Sequence, residues 1–323
     1  MLSFRLAPGS NAMAEVKGNQ QGIGAPPSQR RTFMQALAGA GAGAAIASVG
    51  LQMARPERAE AADVPPPLAE ATGEALIRMQ QDLERAMTSG RTPSWVMVVD
   101  TRKCVGCDAC TVACKAEVPT GPGGFCRRVI QKELPIGPRP YAVFKPVNCL
   151  QCDDPPCARA VPSGMIRKRP DGIVEFNHIQ LFGPYARAAA QACPWNLIHI
   201  DQKQTYTQDT PQPQAYENRR FEEYGREYRR QGVFDNLFER ARKCTFCAHR
   251  LERGVLPACV TTCVGGAMYF GDISDRASLI YQVTQGRRVF KGHENLGVKP
   301  RVIYFEESMP EAVHVDCSAC HSR

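Results

Sequence analysis

A chain of 323 residues is long enough for two small domains or one elaborated one, and its formal net charge of +8 falls to about +5 without residues 1–61, too slight to argue for nucleic acid. Its 15 cysteines stand far above ordinary usage, and most fall at two- and three-residue spacing. Cysteines that close seldom pair comfortably with each other, so repeated Cys-x-x-Cys argues against a disulfide framework and for metal ligation.

Residues 1–61 read as an export signal. Arg30, Arg31 and Phe33 stand ahead of a Gly/Ala-rich apolar run, and Ala59-Glu60-Ala61 offers a cleavage site. This is the pattern of a twin-arginine signal, which moves proteins already folded around their cofactors. A membrane anchor is the competing reading, but the run is poor in Leu and Ile and would span a bilayer badly. No later stretch is apolar and long enough to cross one. The expected location is the periplasm.

Residues 62–94 predict a Pro-rich lead, one amphipathic helix and a loop. "WVMVV" (95–99) predicts a strand that feeds the first cysteine run, "CVGCDACTVAC", with Cys104, Cys107, Cys110 and Cys114. A second run, "CLQCDDPPCARAVP", has Cys149, Cys152 and Cys157, then Val161-Pro162 where a fourth cysteine would stand. "MIRKRPDGIVEFN" (165–177) predicts a hairpin around Asp171-Gly172. The third run, "LFGPYARAAAQACPWN" (181–196), keeps only its closing Cys193; Gly183, Ala186 and Ala189 occupy the other positions. "LIHI" (197–200) predicts a short strand. Residues 201–243 read as a polar insertion whose Tyr216, Phe221, Tyr224, Tyr228 and Phe234 pack on the body or face a partner. The fourth run holds Cys244, Cys247, Cys259 and Cys263, followed by a strand in "AMYFGDI" (267–273).

Three cysteines on one tight loop reach three irons of a four-iron cube, and the fourth iron needs a ligand from elsewhere. In two-cluster ferredoxins the closing cysteine of each run therefore serves the other cluster. Applied here, the rule pairs the first run with the fourth. Cys104, Cys107, Cys110 and Cys263 form one set; Cys244, Cys247, Cys259 and Cys114 form a second. The second run pairs with the third, so Cys149, Cys152 and Cys157 take Cys193. The remaining site would need Gly183, Ala186, Ala189 and Val161, none of them a ligand. Three [4Fe–4S] clusters are expected, with one whole site deleted.

These runs resemble the four-cluster iron–sulfur subunits of the molybdopterin-oxidoreductase complexes, a family that includes subunits of dimethyl sulfoxide, polysulfide, tetrathionate and formate-linked nitrite reductases. The likeness covers about residues 95–275, including Pro155-Pro156-Cys157 and the long gap inside the fourth run. The third run departs from the pattern, as does Val264 after the last cysteine. The resemblance implies a subunit that shuttles electrons from a catalytic or multihaem partner to a quinone-interacting membrane partner, or the reverse.

The chain closes on "CSACHSR", in which Cys317, Cys320 and His321 make the C-x-x-C-H attachment motif of a c-type haem, His321 being the iron ligand. Met309, His314, His293 or a partner residue could complete the haem iron. Cys126 stands outside every run and reads as a buried thiol; His178, His199 and His249 read as structural. Lys103, Lys115, Arg242 and Lys243 either raise cluster potentials or lie in solvent. The expected protein is α+β, with two ferredoxin-like modules related by a pseudo-twofold in one body (95–275), preceded by the 62–94 segment and followed by a tail (276–323). It would relay single electrons through three clusters and one haem, with no catalytic residue of its own. A free periplasmic carrier, and an iron–sulfur enzyme with its own substrate site, are the alternatives.

Overall fold

The computed structural model describes residues 72–134, 141–202, 219–230, 235–290 and 296–305. The export signal, the C-x-x-C-H tail, His293, Tyr216 and Phe234 lie outside the described residues. Ala75, Met79, Leu83 and Ala86 recur at three- and four-residue steps, and this is the side that helix α1 (Thr72–Thr88) buries.

Helix α1 lies on a four-stranded sheet. Strand β1 (Trp95–Val99) leads through a short 3-10 turn into α2 (Ala109–Glu117). A long hairpin follows, β2 (Arg127–Leu134) against β3 (Tyr141–Asn148), then α3 (Pro156–Arg159) and the small hairpin of β4 (Ile166–Lys168) and β5 (Val174–Phe176). Next come α4 (Gly183–Gln191), β6 (His199–Ile200), the hairpin of β7 (Arg220–Glu223) and β8 (Arg226–Arg229), and β9 (Ala241–Arg242), which pairs with β6. The last elements are α5 (Ala248–Leu251), α6 (Ala258–Thr261), β10 (Met268–Asp272), α7 (Leu279–Thr284), β11 (Val289–Phe290) and β12 (Val302–Phe305).

The central sheet runs β10-β1-β12-β11. Strand β1 pairs antiparallel with β10 (Trp95↔Asp272) and parallel with β12 (Met97↔Val302). Every residue of "WVMVV" is buried, which is why the run is continuously apolar rather than alternating. Residues 276–305 thus place α7, β11 and β12 in or against this sheet, so the body extends beyond residue 275. Ser278 caps α7 by accepting from the Tyr281 amide at 3.2 Å. In the β4–β5 turn Gly172 has φ +94, and a Cβ there would collide with the Arg301 guanidinium.

Of the insertion's aromatics, Phe221 and Tyr228 are buried against Cys114, Val118, Cys126 and Leu237, so they pack on the body. The same hairpin carries Glu223 into a buried ion-pair network with His178, Arg242, Asp201 and Arg230. Burial alone would raise the Glu223 carboxyl, but Arg242 and His178 hold it down at about 2 against an ordinary value of 4.5. Its contribution is therefore complete above about pH 4.5 and is lost as pH falls towards 2. Glu223→Ala is expected to cost about 3–5 kcal/mol at neutral pH, because it removes the carboxylate hydrogen-bonded to His178 and one of the two that face buried Arg242. Thermal unfolding of both proteins at pH 7 and pH 3 checks this; an equal gap at the two values would count against it.

Candidate metal centre

Cysteine placement begins with loop geometry. Gly106, Gln151 and Phe246 each stand two residues after the opening cysteine of a run, and all three have positive φ, at 70°, 51° and 53°. That left-handed step curls the backbone so that successive thiols face inward. Beyond the curl, Cys110 and Cys114 ride on α2, Cys157 on α3 and Cys259 on α6. Two closing cysteines share a second device: the Ala267 amide donates to Cys263 Sγ at 3.2 Å, and the Leu197 amide to Cys193 Sγ at 3.4 Å. Amide donation to sulfur is one of the ways a protein tunes a cluster.

Twelve of these thiols fall into three groups of four, each drawn from two distant stretches. Burial pushes the Cys104 thiol up, and its charged neighbours are Cys110, Cys263 and Cys107. A Cβ on Gly265 would meet the Lys103 carbonyl, so only glycine lets the first and fourth runs approach backbone to backbone there. Cys114 has Cys244 and Cys247 beside it, and Cys259 neighbours both of those. Cys152 is surrounded by Cys149, Cys193 and Cys157. The middle group touches both others: Cys259 lies near Cys110 and Cys263, and Cys244 near Cys149.

Where a fourth group would stand, the chain is a plain helix. Gly183, Ala186 and Ala189 are on α4 itself and buried, Gly183 opening the helix at φ +55. Ala186 and Ala189 are fully enclosed with Val161, Leu181, Phe176 and Ile198. Apolar packing occupies the volume.

Cys126 is buried, and its hydrogen bond with Cys114 is the largest influence raising the Cys114 thiol. His178 and His249 are paired with carboxylates, at 2.9 Å from Glu223 and 3.0 Å from Glu117. His199 lines a cavity of about 190 Å³ beside Cys126 and Arg127; burial and then Arg242 hold its imidazole down at about 4. Lys103 reaches the Tyr269 hydroxyl at 2.7 Å and Lys115 the Thr120 hydroxyl at 3.0 Å. Arg242 and Lys243 are each 1% exposed, so neither is a surface charge. One buried cation carries no mark in the sequence: Arg127, 2% exposed, opens β2 directly after Cys126. Strand alternation sends its neighbour Arg128 to the other face, and only pairing with β3 decides which arginine goes in.

The donor set suits iron–sulfur clusters. All thirteen described cysteines are free thiols, and among the described residues no cluster of His, Cys, Asp and Glu is arranged to hold a single metal ion. Burial pushes Cys157 and Cys244 up to about 12, so without metal these thiols are neutral, yet buried Arg127 and Lys243 point their charge at them. A metal-bound thiolate set would supply the missing anion.

The sequence profile of the 4Fe-4S dicluster domain matches residues 141–210 and 230–273. A selenate reductase subunit of Mesobacillus selenatarsenatis is 40% identical over 232 residues, 72% of this chain and 78% of that protein. A tetrathionate reductase subunit of Salmonella typhimurium is 34% identical, covering 65% of this chain and 71% of its own. The arsenate respiratory reductase iron–sulfur subunit of a Shewanella species is 30% identical, covering 64% and 94%. Among the described residues no helix is long and apolar enough to cross a membrane.

Proposed function

This protein is a member of the 4Fe–4S dicluster family of iron–sulfur electron-transfer subunits of reductase complexes, and on that premise we propose that it relays single electrons through three [4Fe–4S] clusters and a c-type haem. The observation that carries the reading is the set of three four-thiol groups, with the fourth position packed solid. Cys104, Cys107, Cys110 and Cys263 would hold one cluster; Cys114, Cys244, Cys247 and Cys259 a second; Cys149, Cys152, Cys157 and Cys193 the third. When bound, the clusters supply reversible one-electron chemistry. The chain would hold them by thiols on two converging stretches, most of them buried or half-buried against the core, and donates amides to sulfur. Because every group has its four thiols, none offers an open iron position for a substrate, which favours relay over catalysis.

The haem belongs on Cys317, Cys320 and His321. The twin-arginine signal in residues 1–61 supports a periplasmic location, where c-type haem is attached. The relatives are named as subunits of larger reductases, so the partners would be a catalytic subunit and a membrane subunit. Iron and sulfide analysis of anaerobically prepared protein tests the count: three four-iron sites give about 12 non-haem irons per chain. A stable value near 16, or a stoichiometric three-iron signal in unoxidised protein, would sink the assignment.

A further inference from the structure

Four basic side chains, those of Arg127, Arg230, Arg242 and Lys243, are each at most 3% exposed. A buried charge needs a nearby countercharge, since desolvation is costly. Arg230 and Arg242 have theirs in Asp201 and Glu223. Arg127 and Lys243 make no ion pair with a carboxylate among the described residues. Arg127 Nη1 donates to Asn148 Oδ1 at 2.8 Å and lies 3.5 Å from Met97 Sδ, Nη2 reaches Met268 Sδ, and Nε has no partner. Lys243 Nζ donates to the Val174 carbonyl at 2.6 Å and the Cys244 carbonyl at 3.0 Å, and sits 4.9 Å from the Phe176 ring centroid.

The two cations occupy different gaps. Arg127 neighbours Cys110 of the first thiol group and Cys259 and Cys244 of the second; Asn148 links it to Cys244, its amide being 3.6 Å from that Sγ. Lys243 lies between the second and third, beside Cys244, Cys149 and Cys157. We propose that Arg127 and Lys243 are fixed cations, one in each gap between consecutive clusters, that raise the reduction potentials of the two clusters flanking each gap. Adding an electron to a cluster adds one negative charge, and in a low-dielectric interior a fixed positive charge stabilises that state strongly. The middle cluster feels both cations and is raised most.

The inference rests on the three-cluster reading, so iron content is measured first on the wild-type full chain; failure to reach three clusters overturns that reading rather than this one. Potentiometric titration followed by electron paramagnetic resonance then separates the sites. Arg127→Gln should lower the first and second clusters and leave the third unchanged. Lys243→Gln should lower the second and third and leave the first unchanged. Arg127→Lys and Lys243→Arg, which keep the charge, should stay near wild type. Asn148→Asp gives a gentler arm, placing a carboxylate against Arg127 without removing it, and should lower the same two clusters as Arg127→Gln. Unchanged potentials, equal shifts at all three sites, or charge-keeping variants that shift as far as the neutral ones would each overturn the proposal.

Discussion

Cys193→Ala is expected to strip or degrade one cluster while leaving two intact. Iron should fall from about 12 to about 8 per chain, or to about 11 if a three-iron form survives, as one missing thiolate implies. The reason is spatial. Cys193 stands alone in its stretch of sequence, yet it neighbours Cys152 and Cys157 and accepts the Leu197 amide. Resonance signals from the groups holding Cys104 and Cys244 should persist, since their thiols come from the first and fourth runs alone. Cys126→Ser should keep all three signals, because a hydroxyl can still meet Cys114 and Cys126 belongs to no group. Wild-type iron and spectra in Cys193→Ala would refute the pairing of the second run with the third.

Replacing both Cys317 and Cys320 with alanine is expected to abolish covalent haem and stop exchange with the physiological partner, while the three clusters remain reducible by dithionite. In a chain of redox centres an interior station cannot be lost without lengthening a hop, whereas an end station can be replaced. The packed fourth site adjoins the third thiol group, since Cys157 and Val161 share one apolar cluster with Ala186 and Ala189. The third group touches the middle one through Cys149 and Cys244, so a station beside the third group would lie at an end of the series. The haem would then provide the exit that the missing cluster once supplied. Haem staining, cluster spectra and stopped-flow reduction with the purified partner separate these effects. Exchange at the wild-type rate in the haem-free variant would take the haem off the path.

The grouping of the thiols was legible because cysteine is rare and its spacing is a local property. A run such as "CVGCDACTVAC" declares three thiols for one site and one for another within eleven letters, and the arithmetic of crossed runs needs no knowledge of the fold. Helix α1, strand β1 and the hairpin at Asp171-Gly172 were legible for a similar reason, since periodicity and turn chemistry act over a few residues.

What only the tertiary structure decided is non-local. That residues 276–305 complete the central sheet depends on β12 finding β1 some two hundred residues away, and its sequence carries no sign of that partner. That the third run became helix α4 rather than a loop follows from enclosing Ala186 and Ala189 among side chains from β4, β5 and β6. Arg127 and Lys243 are ordinary basic letters beside cysteines, no different on paper from Arg128 or Lys103. Composition and spacing determined which thiols gather into groups of four. Folding decided which charges are buried between them, because desolvation and strand pairing are set by neighbours that the sequence does not place side by side.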